Sequence, residues 1–310
     1  MSARRPATST NRLRPARPRI ERCRTGWPTS AVVDTADLRG DGGLARLDAE
    51  LVRRGMARSR GQARDLVRKG DVLVDGAAVA KPSTAVSRDS AITLAERPDG
   101  WVSRGAYKLL GGLHVFGPRG LDVAGKRCLD VGASTGGFTQ VLLDAGAAHV
   151  TALDVGTGQL AAKVAQDPRV EERSGTSIRD VRPGDLGVPF DIVVADLSFI
   201  SLRLVLGVLP SLMTSAADAV LLVKPQFEVG RERLARTGVV TSAAEQARVL
   251  SDVVEAAQAA GLRARGLELS PIRGATGNRE YLLWVTTGSG EPLDERAVAT
   301  AVDRAAKGAL

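Results

Sequence analysis

The chain has 310 residues, 44% of them hydrophobic, and a formal net charge of +8, a length that admits two domains with a well-buried core. No apolar run approaches the roughly 20 residues a membrane helix needs, and no apolar stretch follows the basic N-terminus as in a secretory signal, so a cytoplasmic protein is expected. Two cysteines, two histidines and no Cys-x-x-Cys pair offer neither a disulfide framework nor a zinc site, and no metal is expected.

The positive charge is N-terminal. Residues 1–30 hold eight arginines against one glutamate, and residues 44–70 hold eight basic against three acidic side chains. The remainder is slightly acidic, so a nucleic-acid partner would meet the N-terminal part. Residues 1–43 are rich in Arg, Pro, Thr and Ser with little apolar periodicity and read as a disordered basic tail. Two readings of it stay open, an RNA-binding arm or a non-functional tail from an over-extended start.

Organised structure is expected from Leu44. Leu44, Leu47, Leu51 and Val52 fall on one helical face, with Arg46, Arg53 and Arg54 largely away from it. Gly55 is placed to cap that helix and Ser59 to start a second one carrying Ala63, Leu66 and Val67, which Gly70 closes. Val72-Leu73-Val74-Asp75-Gly76 reads as a strand entering a tight turn, with Val79 and Ile92-Thr93-Leu94 as return strands. Arg46-Leu47-Asp48, Ser59-Arg60-x-x-Ala63, Gly70-x-Val72-x-Val74-x-Gly76 and Lys81-Pro82, in this order over residues 44–95, resemble the S4 RNA-binding domain. The resemblance implies that Arg46, Arg53, Arg54, Arg58, Arg60, Arg64, Arg68 and Lys69 meet RNA phosphates, reading shape more than sequence. The blander alternative is a solvated pair of basic helices. Residues 96–102, with Pro98 and Gly100, read as a linker, and Trp101 is expected to pack at a domain junction.

The stretch Cys128-Leu129-Asp130-Val131-Gly132-Ala133-Ser134-Thr135-Gly136-Gly137-Phe138 has the pattern of a buried strand passing to a helix through a turn of small residues. Its spacing, Gly132-x-x-x-Gly136-Gly137, is not that of a dinucleotide fingerprint. Around it, after a helix start at Ser103, strands are expected near 127–131, 149–154, 190–195 and 219–223. Helices are expected near 137–145, 158–165, 202–213 and 242–260, with β-rich runs near 262–269 and 280–286. Such alternation means an α/β fold with a mostly parallel sheet, helices on both faces and a late antiparallel strand. Asp154 closes the second strand about twenty residues past Gly132, where a carboxylate takes both hydroxyls of a nucleoside ribose.

Lys108, Asp196, Lys224 and Glu280 stand at or near strand ends, where an open α/β sheet places its active site. Strand-end charges often mark only solvent, but Lys224 ends a five-residue apolar run, and Pro225 biases it to an extended backbone. The segments SRGAYKL, LDVGASTGGFT, ALDVGTGQL, VADLSFISL, VKPQFE and GNREYLLW resemble the FtsJ-like ribose 2′-O-methyltransferases. With the S4-like module they resemble the TlyA (haemolysin A) family. That resemblance implies a Rossmann-like, seven-stranded S-adenosyl-L-methionine-dependent methyltransferase domain over residues 103–290; residues 291–310, with a short helical pattern and nothing chemical, read as a C-terminal extension. It implies a catalytic tetrad of Lys108, Asp196, Lys224 and Glu280, and a cofactor site of Asp130, Gly132, Ala133, Ser134, Gly136, Gly137, Phe138 and Asp154. The implied reaction is methylation of a cytidine 2′-hydroxyl in ribosomal RNA of the small subunit, the large subunit or both. The linker departs from the family's Arg-x-Trp-Val by one inserted residue, as Arg97-Pro98-Asp99-Gly100-Trp101-Val102.

The chemistry asks for such residues independently. A ribose hydroxyl is a weak acid, so methyl transfer needs in-line positioning and a base. A lysine whose pKa is lowered by burial or a neighbouring cation meets that need. Lys224 is the expected base, with Lys108 and Asp196 setting its charge state and Glu280 holding Lys108. The competing readings are a non-catalytic RNA-binding or ribosome-assembly factor, and a haemolysin-type membrane-active protein.

Overall fold

The structure is a computed structural model that describes residues 44–57, 60–95, 99–289, 293–294 and 296–307. The basic tail over 1–43, Arg58, the Ser59 cap and linker residues 96–98 lie outside the described residues, which all belong to one compact unit.

The N-terminal part is built from β1 (Ala45–Arg46), α1 (Leu47–Arg53), α2 (Arg60–Arg68), β2 (Val72–Val74), β3 (Ala77–Ala78), β4 (Ala85–Val86) and β5 (Ile92–Leu94). Leu47 and Leu51 of α1 pack on Ala63, Leu66 and Val67 of α2 and on Val72 and Ile92 of the small sheet. Burying a side chain of this kind contributes about 1.5–3 kcal/mol. Gly55 and Gly70 each take φ +72° and their amides reach back to the Val52 and Val67 carbonyls at 3.0 Å, ending the two helices as expected. Leu44 departs from expectation. It is exposed, because the helix begins only at Leu47 and a short strand precedes it.

The larger part follows with α3 (Gly105–Phe116), β6 (Arg127–Val131), α4 (Gly137–Asp144), β7 (His149–Asp154), α5 (Ala162–Ala165), β8 (Val170–Ser174), β9 (Phe190–Ala195), β10 (Met213–Val223), α6 (Pro225–Glu228), α7 (Ala243–Ala259), β11 (Arg263–Leu269), β12 (Tyr281–Thr286) and α8 (Ala297–Ala306). They form a seven-stranded sheet of order β11-β12-β10-β9-β6-β7-β8. Strands β10, β9, β6, β7 and β8 run parallel, and β12 is antiparallel to both of its neighbours. Side chains alternate between two cores. On β10, Ala219, Leu221 and Val223 face the layer of α7 and α8, while Val220 and Leu222 face α3 and α4. Trp101 packs, partly buried, against the second of these cores.

Two expected helices need correction, and one strand was not foreseen. The helix foreseen over 202–213 is two 3-10 turns, Leu202–Leu204 and Leu209–Leu212. Pro210 removes an amide donor from mid-segment, and Leu202, Val205, Leu206 and Leu209 are buried without regular helix. The helix foreseen over 158–165 shrinks to Ala162–Ala165, because Gly158 takes φ +61° and the chain before it stays in a loop. Strand β8 carries Val-Glu-Glu-Arg-Ser with an exposed C-terminal half. A charged edge strand of this kind has no apolar run to betray it.

Candidate active site

Register gathers the strand ends at one edge. Val131 is level with Ala195 and with Leu153, and Ala195 is level with Leu221. The residues at or just beyond the ends of these strands, Gly132, Asp154, Asp196 and Lys224, therefore share the carboxyl edge of the sheet. Antiparallel β12 enters at the same edge with Tyr281 opposite Val223, which brings Glu280 beside Lys224. Strand order reverses between β6 and β9, the crevice where open α/β sheets bind ligands.

The turn after β6 is shaped by close approach. Gly132 takes φ +84°, and a Cβ there would lie 2.9 Å from the Asp196 carbonyl oxygen. The Gly132 and Ala133 amides donate to the Leu153 carbonyl at 2.8 and 3.1 Å. Asp154 tethers the turn, its Oδ2 accepting from the Ser134 amide at 2.8 Å and its Oδ1 from the Gly156 amide at 2.7 Å. Ala133, Ser134, Gly137, Phe138 and Asp154 face a cavity of about 760 Å³, within the usual range for small-molecule sites. Asp130 and Gly136 sit behind the turn. Asp130 is fully buried, Thr139 Oγ1 donates to its Oδ2 at 2.6 Å, and Oδ1 has no hydrogen-bond partner among the described residues. Burial pushes its pKa up to about 7, the Thr139 hydroxyl offsetting only part.

The four expected tetrad residues converge. Lys108 Nζ lies 2.7 Å from Glu280 Oε2 and 3.5 Å from Asp196 Oδ2. Lys224 Nζ lies 2.5 Å from Asp196 Oδ1 and donates to Ser198 Oγ at 2.9 Å. All four side chains are at least 87% buried. The two lysines are driven in opposite directions. Burial pulls Lys108 down, but Asp196 and Glu280 outweigh it and leave the group above its ordinary value. Burial takes Lys224 below its ordinary value, Lys108 adds to the fall, and the carboxylates restore only part. Asp196, although buried, is held well below the usual carboxylate range by the two lysines.

The basic module borders the same cavity through Arg68, Lys69 and Lys81. Gln159 Nε2 donates to Asp65 Oδ2 at 3.2 Å, joining α2 to the loop beyond Asp154. Of the other arginines singled out in the sequence, Arg46 and Arg60 pair with Asp48, and Arg53 and Arg54 with Glu50. Arg54 also bonds the carbonyls of Arg88 and Ser90, both at 2.8 Å. Arg64 bonds the Arg60 carbonyl at 3.2 Å.

Sequence reasoning passed over three features of the site. Ser198 lies inside a segment already singled out, yet nothing marked its hydroxyl. Phe199 is 64% exposed with φ +66°, under the Arg68 guanidinium at 4.6 Å and beside the Phe227 ring at 5.2 Å. The loop after β8, with Ser177 and Ile178 on the cavity wall, was hidden with its strand. Among the described residues, no cluster of three or more His, Cys, Asp or Glu side chains is placed to hold a metal ion. Among them, too, no helix is long and apolar enough to cross a membrane.

The FtsJ-like methyltransferase family model matches residues 101–287, and the S4 domain model matches residues 45–92. The 16S/23S rRNA (cytidine-2′-O)-methyltransferase TlyA of Mycobacterium tuberculosis is 50% identical over 262 residues, covering 84% of this chain and 97% of its own. The chain belongs to the TlyA family of FtsJ-like methyltransferases. Within that family, the 23S rRNA (cytidine-2′-O)-methyltransferase TlyA of Campylobacter jejuni is 34% identical over 59% of this chain and 70% of its own. A solved structure titled as a haemolysin, from Streptococcus thermophilus, superposes with a TM-score of 0.65 at 35% identity, covering 86% of this chain and 98% of its own.

Proposed function

We propose that this chain transfers a methyl group from S-adenosyl-L-methionine to the 2′-hydroxyl of a cytidine in ribosomal RNA, which places its work with ribosomes in the cytoplasm. The observation that carries the reading is the enclosed Lys108-Asp196-Lys224-Glu280 array at the cavity floor, with its two lysines shifted in opposite directions. In this reading residues 44–95 dock RNA, 96–102 link, 103–290 carry the chemistry and 291–310 extend it.

The residues present fit the methyl donor. Each Asp154 oxygen accepts one backbone amide and keeps a second lone pair for a ribose hydroxyl. The unpartnered Asp130 oxygen behind the glycine turn supplies negative potential for a ligand that carries an ammonium and a sulfonium. Gly132, Ala133, Ser134, Gly137 and Phe138 would hold the methionine end, and Ser177 and Ile178 stand on the Asp154 side for the base. When bound, S-adenosylmethionine supplies an electrophilic methyl group on a cationic sulfur.

The chain's own part is proton management and alignment. Lys224 Nζ takes the proton of the ribose hydroxyl as the oxygen attacks in line. Lys108, kept as an ammonium by Glu280 and Asp196, disfavours a second buried positive charge at Lys224 until the hydroxyl delivers its proton. Asp196 then stabilises the newly formed ammonium. Phe199 offers an exposed aromatic face next to the reacting groups, and Arg68, Lys69 and Lys81 bring positive charge to the cavity mouth for phosphates.

Lys224→Ala tests the reading. Methyl incorporation into ribosomal RNA, read as a mass increase of one methyl on alkali-resistant dinucleotides, should fall at least 1,000-fold, on the order of what loss of a general base costs. Affinities for S-adenosylmethionine and RNA should stay within about twofold. Wild-type turnover in that variant would refute the assignment of Lys224.

A further inference from the structure

We propose that Ser198 is a positioning residue for the reaction, aiming the lone pair of the Lys224 amine at the substrate hydroxyl. The proposal rests on the reading of Lys224 as the base. A neutral primary amine has two hydrogens and one lone pair. Lys224 Nζ donates a hydrogen bond to Ser198 Oγ at 2.9 Å and forms an ion pair with Asp196 Oδ1 at 2.5 Å. With one hydrogen fixed on Ser198 Oγ and the other drawn to the Asp196 carboxylate, the lone pair takes the remaining tetrahedral direction. The carboxylate contact alone would fix one hydrogen and leave the lone pair to either of the two remaining directions, one of them turned from the hydroxyl.

The backbone holds Ser198 for this task. It stands two residues past Asp196, just before Phe199, whose left-handed φ of +66° turns the chain beyond β9. Ser198 lines the cavity with Asp196 and Lys224. The other groups facing the amine come from different elements. Asp196 follows β9, Lys108 lies on α3, Glu280 precedes β12, and the Phe227 ring of α6 lies 5.9 Å from Nζ. A substitution at Ser198 leaves all of them in place.

The test is the pH profile of kcat for Ser198→Ala and Ser198→Thr, with Lys224→Ala measured alongside. Loss of orientation should lower the plateau of Ser198→Ala by roughly 10- to 100-fold, the scale of a small misplacement at a reacting group. KM for both substrates and the thermal midpoint should be unchanged. An oxygen acceptor favours the ammonium over the amine, so its removal should also move the acid limb of the profile to lower pH. Ser198→Thr keeps the hydroxyl and should restore both plateau and limb. A wild-type profile for Ser198→Ala would overturn the proposal, and so would a lowered plateau with an unmoved limb and no rescue by threonine. An active Lys224→Ala would instead refute the base. Inactive Lys224→Ala beside wild-type Ser198→Ala would remove Ser198 alone.

Discussion

The N-terminal basic module and the proposed catalytic floor both pair basic with acidic side chains, in different proportions. In the module, buried Asp48 holds Arg46 and Arg60, and buried Glu50 holds Arg53 and Arg54, two cations for each anion. Arg46, Arg53 and Arg60 keep 52–57% of their side chains exposed. The acids act as anchors and an excess of positive charge faces outward. Arg53 and Arg54 hold the Glu50 carboxyl down at about 2, so the anchor stays ionised at any working pH. On the catalytic floor, two lysines meet two carboxylates, all enclosed. Surplus charge on a surface attracts phosphates. Balanced charge out of water decides where a proton resides.

The sharpest way to break this contrast is to remove the shared carboxylate. Asp196→Ala leaves Lys108 with Glu280 and, among the described residues, Lys224 with no carboxylate within ion-pair distance. Methyl transfer should fall below detection, and unfolding in urea should show a loss of about 3–5 kcal/mol, as when one partner of a buried pair is deleted. Native stability in this variant would mean that water already reaches the floor, and the contrast with the module would fail.

Asp130 gives a pH test of intermediate size. Its folded pKa of about 7 stands above the unfolded carboxylate value, so the native state binds the extra proton between roughly pH 4 and 7. This group's contribution is therefore full below about pH 4 and is lost as pH rises through 7. Asp130→Asn keeps an oxygen for the Thr139 hydroxyl and does not titrate. The ligand-free variant should melt above wild type at pH 8, with the gap shrinking toward pH 5. Wild-type affinity for the cationic methyl donor should rise over the same interval and stay flat in the variant. Calorimetric titration at pH 6 and 8 checks this, and equal slopes for the two proteins would detach Asp130 from the donor.

The parts of the fold legible in the sequence were those with apolar runs between small residues. Strands β6, β7 and β9 fall on their expected ranges because both faces are covered and their central positions are mostly apolar. The site was legible where chemistry interrupts such a run, as at Asp196 and at Lys224 before Pro225. What stayed hidden lacks a period. Strand β8 is a charged edge, β10 begins at Met213 behind the polar residues Thr214 and Ser215 with a register shift before Asp218, and the Ser198 hydroxyl matters only through a contact made in three dimensions. Arg54 shows the converse. It reads as one of eight basic residues, yet it is only 21% exposed and its guanidinium closes the module on backbone carbonyls.

Arg68 belongs to both regions and should give the smallest effect. It lies on α2, lines the cavity and covers the exposed Phe199 ring at 4.6 Å. A guanidinium over an exposed aromatic ring contributes about 0.5–1 kcal/mol, so Arg68→Ala should leave folding nearly unchanged. If Arg68 belongs to the outward surplus, RNA affinity should drop about 3- to 10-fold and the salt dependence should flatten by about one phosphate contact. Affinity for S-adenosylmethionine should not move. If it belongs to the catalytic floor, kcat falls and the salt slope is preserved. Filter binding of ribosomal RNA at several salt concentrations, beside single-turnover rates, separates the two. Its half of the contrast predicts the first result, because among the described residues no acidic side chain forms an ion pair with Arg68, which leaves its charge for the incoming backbone.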